Sequence, residues 1–395
     1  MSTQAISQPS ITGIQKPGAL SPAQEQPAPP VAGAARLVSL DAFRGFIMFC
    51  IVGGGGLMLG LQALGHNRII DTIIYHLSHS TWEGLRFYDC IWPSFMLMVG
   101  VSVPFSYAKR SLTQTRSQML AHALTRSTLL FLLGSLRESA HLGSLYLVEI
   151  SSALQPIAIA YLVAFLLVRK SPRFQAAVGG LILVGYALLL AFVPAPGIGA
   201  GSYRLNANLV YAVDIALLGK THSVNQSEIL EGWGTVLSTL PTISTTILGL
   251  LLGELLKSSR PARSKIRIMA VTGVAGLVVG YLLSFFIPVI MKMWTASYGV
   301  LTASWACLFL LLFYWIIDVR GHRNWAFPFV VIGMNALAAY LAETVTRLHS
   351  LVNLLTKGIE GTLGSAGPLF GSVVFLAVEW SILYWMYRRR IFLSA

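Results

Sequence analysis

The fold class is decided by residues 237–290, which read LSTLPTISTTILGLLLGELLKSSRPARSKIRIMAVTGVAGLVVGYLLSFFIPVI. This stretch consists of two apolar runs, 237–257 and 267–290, joined by a short basic loop. Each run is long enough to cross a bilayer as one helix, which takes about 20 residues. Because a backbone in lipid must satisfy its own hydrogen bonds, such continuous runs predict membrane helices rather than barrel strands.

The composition of the whole chain supports the same interpretation. Its 395 residues are 55% hydrophobic and only 11% charged, whereas soluble globular proteins carry about 25% charged residues. This excludes both a soluble globular fold and a disordered chain. Further apolar runs of spanning length lie at about 45–64, 88–108, 121–137, 150–168, 174–195, 298–318, 326–346 and 366–387. We therefore predict an all-α, polytopic membrane helix bundle of about ten transmembrane helices in a lipid bilayer.

The distribution of basic residues predicts the orientation. The net charge of +13 does not indicate a nucleic-acid partner, because the bases lie in short runs between apolar stretches. With the N-terminus inside, 18 of the 28 Lys and Arg residues fall in inner segments and 7 in outer segments. Cytoplasmic loops carry such an excess. We expect both termini to be cytosolic, and we allow one extra re-entrant segment near 196–236.

The first 35 residues differ from the rest. Residues 1–35 are mostly Ser, Gln, Pro and Ala, with few large apolar side chains. Such a composition cannot bury enough apolar surface to fold. We predict a disordered cytosolic tail at 1–35, followed by one transmembrane domain at 36–395.

The first predicted span carries two unusual features. Asp41 and Arg44 are three residues apart and can pair on one helix face. Arg44 then either anchors the helix at the interface or presents a cation to a phosphate. Four consecutive glycines, Gly53–Gly56, follow within the span. They serve either close helix packing or a gap through which a thin ligand passes.

The stretch HLSHSTWEGLRFYDCIWPSF, residues 76–95, is the richest in chemistry. His79 precedes a polar turn, and Asp89 opens the next span, where an acid is costly unless it is paired or faces a cavity. A carboxylate that orients an imidazole is the arrangement of acyl-transfer sites. The alternative is a plain interfacial loop with aromatic anchors. A zinc site is disfavoured, because nothing nearby completes a ligand set around His76 and His79.

The motifs of this chain resemble the membrane acyltransferases typified by heparan-alpha-glucosaminide N-acetyltransferase. In that family a Ser-Leu/Val-Asp-x-Phe-Arg-Gly opening precedes a His-x-x-Trp-x-Gly…Asp…Pro-x-Phe-x-Phe-x-x-Gly block. Here these are RLVSLDAFRG (36–45) and HSTWEGLRFYDCIWPSFMLMVG (79–100), with Leu97 at the second Phe position. The resemblance extends to about residue 340 through LQPIAIAY (154–161), LPTISTTILGLLLGELL (240–256), KMWTAS (292–297) and GMNALAAY (333–340).

The resemblance implies transfer of an acetyl group from cytosolic acetyl-CoA to an amino sugar or glycan at the outer face. It places the active-site histidine on His79 and the following aspartate on Asp89, with no metal. We expect the remaining contacts to be made in two groups. Acetyl-CoA is expected to contact Arg44, Gly54 and Gly55. The acceptor is expected to contact Trp82, Gln155 and Asn335, although polar groups such as Gln155 and Asn335 inside spans also serve as interhelical hydrogen bonds.

One departure from the family pattern concerns the acceptor. The eukaryotic enzyme has a functional Asn just before its glycine run, where this chain has Val52 and Gly53. The chain end resembles an uncharacterised bacterial branch, which favours the bacterial inner membrane and an envelope glycan as acceptor. A homodimer is a further expectation. Two rival classes stay open: a secondary transporter, for which no half-chain repeat is visible, and a non-catalytic membrane partner protein.

Overall fold

The structure is a computed structural model that describes residues 37–143, 145, 153–217, 236–346 and 348–393. Within these ranges the regular secondary structure is helical, apart from one pair of two-residue strands, β1 (Tyr203–Arg204) and β2 (Ala207–Asn208), which pair antiparallel. The predicted tail, residues 1–35, lies outside the described residues and stays a prediction.

Every predicted apolar run contains a described α-helix, and three further helices, Arg68–Leu77, Leu209–Leu217 and Leu348–Thr362, lie outside those runs. In chain order they are α1 (Val38–Ala63), α2 (Arg68–Leu77), α3 (Ile91–Arg110), α4 (Arg116–Leu142), α5 (Leu154–Leu167), α6 (Pro172–Phe192), α7 (Leu209–Leu217), α8 (Thr239–Lys257), α9 (Ala262–Ser284), α10 (Ala296–Phe313), α11 (Phe327–Met334), α12 (Ala336–Thr346), α13 (Leu348–Thr362) and α14 (Gly367–Arg388). Short 3₁₀ turns precede three of them, at Tyr88–Cys90, Asn324–Ala326 and Gly364–Ala366, and α10 continues as a π-helical segment, Tyr314–Val319.

The number of membrane spans agrees with a polytopic bundle. Among the described residues, eight helical stretches are long and apolar enough to cross a membrane. A ninth candidate is the α11–α12 pair, which bends by 67° between Met334 and Ala336. The remaining predicted run, 150–168, contains α5, whose 14 residues are fewer than a straight span needs. The protein is therefore an integral multi-pass membrane protein, and the cytosolic position of its termini stays a prediction.

Glycine permits a close helix crossing between α3 and α8. A Cβ atom at Gly100 of α3 would overlap the carbonyl of Thr246, and one at Gly249 of α8 would overlap the carbonyl of Leu97. Small residues of this kind let two backbones touch, which is how membrane helices associate without a hydrophobic driving force. This crossing fixes α3, whose N-terminal end carries the candidate site.

The first turn of α1 is capped by a distant side chain. Asp318, at the end of the π-helical segment, accepts hydrogen bonds from the backbone N–H groups of Val38 and Ser39, both at 3.2 Å. A carboxylate at a helix N-terminus satisfies otherwise unpaired donors and complements the helix dipole. These hydrogen bonds connect the N-terminus of α1 to the π-helical segment that follows α10.

The segment near 196–236 contains more structure than a loop. Its described part holds the β1–β2 hairpin and α7, and residues 218–235 lie outside the described residues. The hairpin matters for the site because the backbone carbonyl of Tyr203 accepts a hydrogen bond from Trp82.

Candidate active site

The loop between α2 and α3 brings His79 and Asp89 together. His79 Nδ1 lies 2.7 Å from Asp89 Oδ1. The Asp89 side chain is completely buried, whereas the His79 side chain keeps a quarter of its surface exposed. A buried acid behind a partly exposed imidazole is the arrangement in which a carboxylate orients a base.

Backbone groups fix which nitrogen of His79 carries the proton. Asp89 Oδ2 accepts a 2.8 Å hydrogen bond from the N–H of Arg86, and both carboxylate oxygens lie within 3.4 Å of the N–H of Ser80. A carboxylate with these partners acts as an acceptor, so Nδ1 of His79 carries the proton and donates it. Nε2 is then the ring nitrogen with the lone pair, which is the nitrogen that accepts a proton or an acyl group.

Three distant segments hold this loop in place. The hydroxyl of Tyr298, at the start of α10, donates to the backbone carbonyl of Asp89 at 2.7 Å. The N–H of Gly84 donates to the carbonyl of Val289 at 2.9 Å. Trp82 Nε1 donates to the carbonyl of Tyr203 at 2.9 Å.

Tyr88 connects His79 to the glycine run of α1. Its ring centroid lies 4.6 Å from that of His79, at an interplanar angle of 51°. Its hydroxyl donates to the backbone carbonyl of Cys50 at 3.1 Å. A Cβ atom at Gly54 would lie only 2.5 Å from Cε2 of Tyr88. Gly54 is therefore buried beneath this ring.

The other glycines of the run serve different neighbours. Gly53 packs against Leu376 of α14, and the Gly56 carbonyl accepts a hydrogen bond from Ser372 of the same helix at 2.9 Å. Gly55 is exposed, and a Cβ atom there would meet none of the described residues within 4 Å. Close packing, one of the two alternatives from the sequence, thus describes Gly53, Gly54 and Gly56, and open space remains at Gly55.

Arg44 lies at a different level of the same helix. Its Nη2 forms the predicted pair with Asp41 Oδ1 at 2.9 Å, and its Nε donates to the carbonyl of Gly333 on α11 at 2.7 Å. A third of the Arg44 side chain is exposed. Ten residues separate it from Gly54, which corresponds to about 15 Å along a helix axis.

The predicted acceptor contacts are scattered. Asn335 is fully buried at the bend between α11 and α12, where its side chain hydrogen-bonds the backbone of Ile391 and Leu393 at 3.0 and 3.1 Å. Gln155 is fully buried and donates to Ser135 of α4 at 2.8 Å. Both side chains thus hydrogen-bond other parts of the protein, and their contact with an acceptor stays a prediction. Of the three predicted contacts, Trp82 alone lies in the His79 loop.

Sequence reasoning missed three residues of the site. Arg86 supplies a backbone donor to Asp89, Tyr88 covers the His79 ring, and Tyr298 supports the Asp89 carbonyl. Proximity to Asp89 in the sequence was a usable signal for the first two, whereas Tyr298 is 209 residues away. Within the described part of the chain, no three His, Cys, Asp or Glu side chains group as metal ligands do.

Comparison with known proteins gives two similar sequences, and no family model matches the chain. Human heparan-alpha-glucosaminide N-acetyltransferase is 26% identical over 418 residues, which cover 90% of this chain and 59% of the human protein. The mouse protein of the same name is 25% identical over 430 residues, covering 94% of this chain and 62% of its own. The chain spans about three-fifths of the length of these curated relatives. It is therefore a distant relative of the heparan-alpha-glucosaminide N-acetyltransferase family, as its motifs predicted.

Proposed function

We propose that this protein is a membrane acetyltransferase that moves an acetyl group from acetyl-CoA to an amino sugar or envelope glycan. The observation that carries the proposal is the pair of His79 with a completely buried Asp89. The names of the human and mouse relatives state an N-acetyl transfer to an alpha-glucosaminide, which supports the same reaction class here. A bacterial inner membrane and a homodimer are parts of this proposal.

The chemistry requires a neutral imidazole with its lone pair on Nε2. In direct transfer, the acceptor nitrogen or oxygen attacks the thioester carbonyl, Nε2 takes the acceptor proton, and the C–S bond breaks to release CoA. In the two-step alternative, Nε2 attacks the carbonyl and the C–S bond breaks to release CoA. The acceptor then displaces the acetyl group from Nε2, which takes up the acceptor proton. In both routes Asp89 stabilises the positive charge that develops on the imidazole.

The position of Arg44 on α1 supports separate binding positions for the two ends of acetyl-CoA. Its partly exposed guanidinium is about 15 Å along the helix from Gly54. Acetyl-CoA is an elongated molecule with phosphates far from its thioester. Binding of those phosphates near Arg44 therefore leaves the thioester free to react near His79. Arginine suits this role because its charge persists and its planar fork matches phosphate geometry.

The test is acetyl transfer by purified protein in detergent, with labelled acetyl-CoA and a panel of amino sugars. We expect acceptor-dependent release of CoA, and a loss on the order of a thousandfold or more in His79→Ala. His66→Ala is the matched control, because His66 Nδ1 also pairs with a carboxylate, Asp71, at 2.8 Å but in an exposed position. No CoA release by the wild type, or equal turnover in His79→Ala, would overturn the proposal. Amino-sugar uptake into vesicles without CoA release would indicate a transporter.

A further inference from the structure

We propose that Tyr88 is a positioning residue for His79, and that residue 54 is glycine because it must admit the Tyr88 ring. The inference rests on the proposed function, since it assigns to Tyr88 the orientation of the reacting imidazole. It also gives Gly54 a task other than lining a passage for the donor.

The first step concerns what Asp89 alone leaves undetermined. Asp89 holds the imidazole of His79 at one atom, Nδ1, and the Cβ–Cγ bond attaches the ring to the backbone. With only these two attachments, the ring can still change its tilt while Nδ1 stays within hydrogen-bonding distance of Asp89. The Tyr88 ring packs against the imidazole, with the two ring centroids 4.6 Å apart and the ring planes tilted by 51°, and it opposes that movement. Together the two contacts fix the direction in which Nε2 points.

The second step concerns what holds Tyr88. Its hydroxyl donates to the Cys50 carbonyl, and Cys50 and Gly54 are four residues apart, on one face of α1. A Cβ atom at Gly54 would lie 2.5 Å from Cε2, 2.9 Å from the hydroxyl oxygen and 3.0 Å from Cζ of Tyr88. All three atoms belong to the outer part of the ring, so an alanine would push that part off α1 and break the Cys50 hydrogen bond.

The consequence is a specific kinetic signature. Tyr88 lies between α1 and His79. The donor phosphates are proposed to bind elsewhere, at Arg44, which is about 15 Å from Gly54 along α1. A displaced Tyr88 ring therefore misorients His79 without removing a donor contact. Misplacement of a reacting group by about 1 Å can cost on the order of a hundredfold in rate. The loss is expected in kcat, with the KM for acetyl-CoA unchanged.

The experiment is a double-mutant cycle of Gly54→Ala and Tyr88→Leu, with kcat and the KM for acetyl-CoA measured for each protein. Each single variant should lower kcat by about tenfold to a hundredfold. The double variant should be no worse than Tyr88→Leu alone, because residues that act through one contact are not additive. Tyr88→Phe keeps the ring and loses only the hydroxyl, so its loss should be the smallest.

Gly185→Ala is the control for adding a methyl group to a helical glycine, because a Cβ atom at Gly185 of α6 would meet no atom of the part of the chain that the structure describes within 4 Å. A second readout is the rate at which diethyl pyrocarbonate modifies His79, followed by mass spectrometry of the peptide. That rate should change in Tyr88→Leu and Gly54→Ala and stay at the wild-type value in Gly185→Ala.

Three results would overturn the inference: full kcat in Tyr88→Leu, additive losses in the double variant, or a Gly54→Ala defect confined to the KM for acetyl-CoA. Absence of acetyl transfer by the wild type would refute the proposed function instead. In that case the modification rate of His79 still decides the positioning role, since an equal rate in all variants would refute it.

Discussion

Replacing Asp89 with Asn changes one carboxylate oxygen to an NH₂ group with almost no change in volume. The two oxygens now receive the Nδ1–H of His79 and the backbone N–H groups of Ser80 and Arg86. The Asp89 side chain is completely buried, and an amide in its place offers only one oxygen to these donors. One donor must therefore face another donor, whichever way the amide is turned.

The size of the effect follows from the two orientations of the amide. If NH₂ faces Arg86, the part-buried N–H of Arg86 loses its partner, which costs up to about 1–3 kcal/mol of stability. If NH₂ faces His79, the imidazole must move its proton to Nε2, and the lone pair needed for catalysis is lost. We expect turnover to fall by about a hundredfold, or about 2.7 kcal/mol of activation free energy. His79→Ala removes the base itself and should cost on the order of a thousandfold or more.

The assay is CoA release by the purified variants, alongside thermal melting in the same detergent. Asp71→Asn is the matched control, because Asp71 pairs with His66 at 2.8 Å but half of its side chain is exposed. It should change neither turnover nor melting. The reasoning is refuted if Asp89→Asn neither melts at a lower temperature nor turns over more slowly than the wild type, or if His79→Ala folds and retains activity.

Other expected outcomes concern topology, the donor and packing. A reporter fused after Arg390 should report the cytosol and one inserted within 205–230 the exterior; reporters on the same side would contradict the ten-span topology. Arg44→Ala should raise the KM for acetyl-CoA and leave that for the acceptor unchanged, and a change confined to the acceptor would assign Arg44 another role. Gly100→Ala should lower the melting temperature far more than Gly185→Ala, because only the former overlaps a neighbouring backbone; equal melting curves would contradict the α3–α8 crossing.

The helices within the apolar runs were predictable from the sequence because the length of an apolar run is a local property of the chain. Each of the ten predicted runs contains a helix among the described residues. The bend between α11 and α12 was not predictable. It lies at Asn335, whose side chain bonds the backbone of Ile391 and Leu393 more than fifty residues later. Nothing near Asn335 in the sequence indicates that partner.

The candidate site also has a part that could be predicted from the sequence and a part that could not. His79 and Asp89 are ten residues apart in one loop, so their pairing was within reach of sequence reasoning. The glycine run indicated that something approaches α1 closely, but not what. At Gly54 the approaching group is Tyr88, at Gly53 it is Leu376, and at Gly55 nothing approaches. A pattern of small residues predicts that another group can approach the helix closely, but which group approaches is decided by tertiary contacts.

Arg44 and the groups that contact Tyr88 lie on the same helix, α1. Thermal motion should therefore change the distance between these two parts of the proposed site very little. An acetyl donor that spans two binding levels reacts well only if those levels keep a constant separation. On a single helix that separation is set by backbone hydrogen bonds, whereas on two helices it would vary as they slide. The Asp318 cap at Val38 and Ser39 fixes one end of α1, and the Tyr88 hydrogen bond to Cys50 fixes its middle to the His79 loop. The rigidity that the proposed chemistry needs is therefore built into α1.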